Sequence, residues 1–303
     1  MPSGAFRRVA VAVPLLVTAL ALGACSNASS SAAGPLPPVA THGPLGPGDH
    51  TVLLTSGGHR RSLILHVPPG APVANRPLIL VYHGATDTAG YTERITDFDK
   101  VANKNGDLVA FMQGYDNSWN EDAGSTPAHQ ARINDVAFTA AAIKKLETLV
   151  PFDHNRIAAA GFSNGALMVQ DLGCKLAGSI AVIVPVEGEL PVSVSKTCKP
   201  SRAIEVYEIH GTADTAIPYK GGSFHGVDGG TTVLSAPASL ARWATLDVCS
   251  NKPATSSPSR GIKLTTYRSC HRKVTVVLRT IVGGVHQWGG NIGELVSAAI
   301  PAA

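Results

Sequence analysis

Ile157-Ala158-Ala159-Ala160-Gly161-Phe162-Ser163-Asn164-Gly165-Ala166-Leu167-Met168 is the stretch that decides the fold class. Small and branched apolar residues run into a glycine, and a serine then stands midway between Gly161 and Gly165. A segment able to form a helix, Asn164 to Leu172, begins at once. Apolar strand, tight turn and helix make the strand-to-helix connection of a layered α/β protein. The glycines permit a sharp turn that side chains at either position would crowd. Such a turn lifts the serine hydroxyl clear of the sheet and sets it near a helix N-terminus. A G-x-S-x-G match alone also describes a glycine-rich turn with a capping serine. The flanking strand and helix favour a nucleophile.

Outward from this turn, short apolar runs alternate with helical patterns. Ser62–Val67, Leu78–Tyr82, Leu108–Met112, Ile157–Ala160, Ile180–Val186, Ile204–Ile209 and Val274–Val282 read as strands, most ending at or near a glycine. Runs apolar on both faces imply strands buried between helix layers. Ile133, Val136, Ala140 and Ile143 recur at helical spacing, with Lys144 and Lys145 on another face. Ala236–Leu246 and Ile292–Ile300 read as further helices. The expected architecture is a mostly parallel, doubly wound sheet flanked by helices, with its site at the carboxyl ends of the strands.

The 303-residue chain has three expected parts. Residues 1–24 combine Arg7 and Arg8, an apolar run from Val9 to Leu22 and the small residues Gly23 and Ala24, the layout of a signal peptide. Leu22-Gly23-Ala24-Cys25 resembles a bacterial lipobox, in which Cys25 is lipidated, although Cys25 could equally be an incidental small residue. Residues 25–48, rich in Ser, Ala, Gly and Pro, read as a flexible tether. Residues 49–303 are the expected catalytic-size domain. The net charge of +4 comes without any Lys/Arg block, so nucleic acid is an unexpected partner. Membrane association is expected only through a lipid on Cys25, and the domain is expected to be a monomer.

Beyond Cys25 there are four cysteines, an even number that favours two disulfides in an exported chain. Cys174–Cys198 and Cys249–Cys270 are the preferred pairs, since each closes a short loop. No CxxC pair and no histidine spacing suggests a zinc site, and no cofactor is expected.

A serine hydroxyl needs a base, and the base needs an orienting carboxylate. Asp214 follows a strand end in His210-Gly211-Thr212-Ala213-Asp214, and His286 follows the last apolar strand in Gly283-Gly284-Val285-His286. This order, Ser then Asp then His, suits the strand–turn–helix context of Ser163. Asp228 and Asp247 are rival acids, and His225 and His271 weaker bases. His83 and His210, at strand ends, are expected to bond local backbone. Oxyanion-hole donors should be the N–H of Asn164 and one from the loop His83-Gly84-Ala85-Thr86, with Ala85 first and Thr86 as alternate.

Together, His83-Gly84, Ser118-Trp119-Asn120, Gly161 to Gly165, His210 to Asp214 and the His286 loop resemble, in order and spacing, the polyhydroxybutyrate depolymerase/feruloyl esterase group of α/β-hydrolases. That group includes exported actinobacterial lipoproteins. The resemblance covers nearly all of the chain after the tether. It implies an α/β-hydrolase fold, a Ser163–Asp214–His286 triad and a carboxylic-ester substrate. It also suggests that Trp119 and Trp288 lie near the substrate, where the alternative is simple core packing. The chain departs from the group at His286-Gln287-Trp288-Gly289-Gly290, where Pro-Gly usually follows the Trp, and at Ala85, where Cys is frequent. Polyester-degrading members usually add a surface-binding module after the His loop. The expected substrates are therefore soluble or oligomeric esters: acetyl, feruloyl, hydroxyalkanoate-type or short acyl. The rival readings are a non-catalytic envelope-binding lipoprotein and a peptidase or thioesterase on the same scaffold.

Overall fold

The computed structural model describes residues 44–70, 74–121, 126–225, 231–250 and 252–302. The signal segment, Cys25, the tether up to residue 43 and the rival acid Asp228 lie outside the described residues. In chain order the elements are β1 (Gly48–Ser56), β2 (His59–Val67), β3 (Leu78–Tyr82), α1 (Ala89–Ile95), α2 (Phe98–Asn105), β4 (Leu108–Met112), α3 (Pro127–Gln130) and α4 (Asp135–Glu147). There follow β5 (Ile157–Phe162), α5 (Asn164–Lys175), β6 (Val182–Val186), α6 (Val192–Thr197), β7 (Glu205–Gly211), β8 (Gly222–Ser223) and β9 (Thr232–Val233). The chain closes with α7 (Ala236–Leu246), β10 (Ala254–Ser259), β11 (Ile262–Tyr267), β12 (Val276–Ile281) and α8 (Ile292–Ala299).

Ten strands form one sheet in the order β1-β2-β4-β3-β5-β6-β7-β12-β11-β10. The centre, from β4 to β12, is parallel throughout. Antiparallel hairpins extend it at both edges. Because successive side chains in a strand point to opposite faces, the continuous apolar runs feed two cores. Leu78, Leu80 and Tyr82 of β3 pack with Phe138 of α4, Met168 and Leu172 of α5 and Trp243 of α7. Ile79 and Val81 pack on the other face with Phe98 of α2 and Ile292 and Val296 of α8. β4 divides in the same way, Leu108, Ala110 and Met112 against Val109 and Phe111. Each fully buried Leu, Ile or Phe here contributes about 1.5–3 kcal/mol by leaving water.

The expected doubly wound sheet is present, and its apolar strands fall within three residues of the expected bounds. The additional elements are edge strands with solvent-facing side chains and short helices. β1 buries only Val52, and β10 is exposed along its whole length, so neither has the apolar run that marks a central strand. α1 and α2 are short; Thr88 caps the first by accepting the Tyr91 N–H, and Gly106 ends the second in the left-handed region at φ 82°. The packed body also begins a few residues before the expected boundary at 49. Leu45 packs against the α4 side of the core, and its N–H donates to the Leu149 carbonyl.

Two disulfides join Cys174 to Cys198 and Cys249 to Cys270. The first ties the last turn of α5 to the end of α6. The Cys174→Ser/Cys198→Ser protein is expected to lose about 2–4 kcal/mol of stability, read as a lower denaturation midpoint in urea.

Candidate active site

The carboxyl ends of β3, β5, β6, β7 and β12 gather the polar residues. At the end of β5 the chain turns directly into α5, and Ser163 is held at φ 56° and ψ −120°. A non-glycine residue in that region carries strain on the order of 1–3 kcal/mol, which persists only where the surroundings enforce it. The enforcement is visible. The Ser163 N–H donates to the Val186 carbonyl at 3.0 Å, and its carbonyl accepts from Ala166 and Leu167 at 2.9 and 3.1 Å. The two glycines make the turn possible. A Cβ on Gly161 would strike the Gly165 carbonyl and lie 2.9 Å from Val169 Cγ2; one on Gly165 would strike the carbonyls of Tyr82 and His83. Helix α5 therefore sits directly on the strand ends, and Ser163 remains partly exposed.

His286 lies in the loop after β12. Its ring stacks on Phe162, the residue before Ser163, with centroids 4.6 Å apart. Its Nδ1–H donates to Asp214 Oδ2 at 2.7 Å, which leaves Nε2 as the basic nitrogen. Asp214 is buried, and its Oδ1 accepts the N–H groups of Ala216 and Ile217 at 2.7 and 2.9 Å. The loops that carry Asp214 and His286 are bound to each other. The Ala213 N–H donates to the Gly284 carbonyl, and the Gly283 N–H to Thr212 Oγ1.

The rival groups are elsewhere. Asp247 accepts the Ile204 N–H just before β7, at the opposite end of the sheet, and the His271 N–H donates to the Asp247 carbonyl there. His225 is exposed.

Among the described residues, the N–H groups of Ala85 and Asn164 meet no acceptor. The Thr86 N–H is committed to the Asn117 carbonyl at 2.8 Å, which removes the alternate oxyanion donor. The Ala85 loop is braced by His83, whose Nδ1–H donates to the Gly84 carbonyl while Nε2 accepts the Gly114 N–H. Burial holds this ring neutral, with its pKa lowered to about 4.

Trp119 and Trp288, expected near substrate, are both buried. Trp119 is wholly buried behind the oxyanion loop, with Nε1–H donating to the His83 carbonyl at 2.9 Å. Trp288 belongs to the core on the α2/α8 face, beside Phe98 and Phe162.

Four residues of this region have contacts that a motif reading does not give: Asn164, Glu121, Glu187 and His210. The Asn164 side chain does more than follow the nucleophile. It accepts the Trp119 N–H at 2.8 Å and donates to buried Glu121 at 2.9 Å, pinning the nucleophile turn to a neighbouring loop. His210 bonds the Ile217 carbonyl as expected of a strand-end His, but it also faces carboxylates: Glu189 at 2.7 Å, Asp214 at 3.3 Å and Glu187 at 3.4 Å. Burial opposes its charge, yet the bonds to Asp214 and Glu189 prevail and raise its pKa to about 11. Burial likewise opposes ionisation of Asp214, but bonds from His210 and His286 outweigh it and keep Asp214 ionised well below the usual range. Glu121 and Glu187 lie within stretches that no spacing rule singles out, and the charge on His210 comes in part from carboxylates that its own motif does not reveal.

A family model described as phospholipase/carboxylesterase matches residues 75–225. Feruloyl esterase B of Piromyces equi is 33% identical over 72% of this chain, which spans only 41% of that esterase's length. The putative esterase NocK of Nocardia uniformis subsp. tsuyamanensis is 28% identical, with 77% of this chain and 72% of that protein covered. The solved acetyl xylan esterase from Aspergillus awamori superposes with a TM-score of 0.54 over 79% of this chain and 94% of its own, at 14% identity, which establishes a shared fold. The chain has the α/β-hydrolase fold, and its sequence relatives are named as esterases.

The buried acids and His210 set how stability depends on pH. Burial raises Glu121 and Glu187 from 4.5 to about 8, and His210 is raised from 6.5 to about 11. The folded chain thus keeps protons that the unfolded chain has released, so stability must fall as pH rises through this window. The melting temperature is expected to decline steadily from about pH 6 to about pH 9; a constant or rising value in thermal scans would contradict these protonation states.

Proposed function

We propose, from an α/β-hydrolase fold whose sequence relatives are named as esterases, that this protein is a serine carboxylic-ester hydrolase working through Ser163, His286 and Asp214. The observation that carries the proposal is the 2.7 Å bond from His286 Nδ1 to Asp214, made beside the strained Ser163 turn.

In the proposed reaction His286 Nε2 takes the Ser163 Oγ proton as Oγ attacks the ester carbonyl. Asp214 stabilises the resulting imidazolium. The oxyanion is met by the Ala85 and Asn164 N–H groups, which are free to donate among the described residues. His286 passes its proton to the leaving alcohol, and an acyl-enzyme remains on Ser163. Water then attacks, with His286 again as base, and releases the acid. The scheme uses no metal and no organic cofactor.

The substrate class proposed is acetyl, feruloyl or short acyl esters in soluble or oligomeric form. Support comes from relatives named as a feruloyl esterase and an acetylxylan esterase/xylanase. We also propose an exported monomer, attached to a membrane only if Cys25 is lipidated. The two disulfides are consistent with an oxidising compartment.

Steady-state turnover of p-nitrophenyl acetate and butyrate tests the central claim. Ser163→Ala is expected to lower kcat by about 10⁴-fold or more while the fold persists. Retention of most of the turnover by that variant would remove Ser163 as nucleophile.

A further inference from the structure

The acid limb of this site contains a second carboxylate. Glu187 is the first residue after β6, Asp214 follows β7 and His286 follows β12. These three strands are neighbours in the sheet, so their ends open side by side. A carboxylate oxygen of Glu187, one of Asp214 and a ring nitrogen of His286 all lie within 4.8 Å of one another. Glu187 is 1% exposed and is held at φ 52°, a conformation costly for any residue but glycine. Both its oxygens accept the Gly211 N–H, at 3.1 and 2.9 Å, and its own N–H donates to the Ile209 carbonyl. A carboxylate is thus fixed, against backbone preference, beside the group that orients the base.

Resting on the triad proposed above, we infer that Glu187 is a positioning residue that shares the acid role with Asp214 and can orient His286 when Asp214 is neutralised. The charges around it set which acid carries the proton. Facing Glu187 are His210 on β7, Asp214 in the next loop and His286 from β12, with Glu189 and Glu208 bordering the same cluster through His210. Asp214, bonded by two histidines, takes the negative charge. Burial and the nearby Asp214 carboxylate leave Glu187 protonated at neutral pH, with its pKa raised to about 8. Two carboxylates this close do not ionise together easily. Removing the charge at position 214 removes that repulsion and lets Glu187 ionise beside His210. A negative group then remains within 4.8 Å of a ring nitrogen of His286.

The experiment compares kcat/KM across pH for the wild type, Asp214→Asn, Glu187→Gln and the double variant, with Ser163→Ala as the reference for the nucleophile. Triads that lose their only acid fall by about 10⁴-fold. With Glu187 in reserve, Asp214→Asn is expected to fall by only about 10²-fold, and adding Glu187→Gln to cost at least about tenfold more. Glu187→Gln alone should abolish an ionisation near pH 8 on the alkaline side of the wild-type profile. A merely structural glutamate would move neither reading. Equal residual rates for Asp214→Asn and the double variant, with an unaltered wild-type-like profile for Glu187→Gln, would overturn the inference. Should the Glu187→Gln proteins not fold, Asp214→Asn alone decides, since a full 10⁴-fold loss leaves no role for a second acid. If Ser163→Ala keeps its turnover, the triad itself fails, a result distinct from either of these.

Discussion

The close approach of helix α5 to the ends of β3 and β5 is the constraint on which the site depends. It is possible only because Gly161 and Gly165 have no side chains to collide with the Gly165, Tyr82 and His83 carbonyls. That approach forces Ser163 into its strained turn, leaves the Asn164 N–H free among the described residues, and brings Phe162 under the His286 ring. The strain is sustained because α5 is buried from Asn164 to Cys174 between the sheet and its neighbours. A local conformational cost is thus offset by the packing of a whole central helix.

Electrostatics form a second layer built on the same strand ends. Glu187, Glu189, Glu208 and Asp214 are all buried, and a patch of this kind would be untenable if every carboxylate were charged. The His210 imidazolium supplies positive charge at its centre, while Glu187 and Glu208 retain protons because burial disfavours their ionised forms. Asp214 stays firmly ionised, aimed at His286. Bonds between the Thr212–Ala213 and Gly283–Gly284 segments hold acid and base loops in register.

Much of this was legible before any coordinates. The runs Leu78–Tyr82 and Leu108–Met112 form strands with the expected bounds, because a strand buried on both faces must be apolar at every position. The G-x-S-x-G turn identified its own strand and helix. Less legible were β1, β10 and β11, whose mixed or polar faces lie at the sheet edges. The two tryptophans show a different limit: an indole beside a motif residue can face the substrate or the core, and composition does not separate these. Both are buried.

By itself, the sequence determined what depends on neighbouring residues: strand and helix type, the turn at Ser163, the order Ser–Asp–His, and a short-loop preference that agrees with the observed disulfide pairs. The tertiary structure alone decided what depends on residues far apart in the chain. It commits the Thr86 N–H to Asn117 and leaves Ala85 free among the described residues. It joins Asn164 to Glu121 across 43 positions, and it surrounds His210 with carboxylates from two separate loops. The physical reason is range. Backbone propensity and apolar periodicity act over a few residues, whereas desolvation and charge–charge interaction depend on distance in space, which is set only once the sheet has assembled.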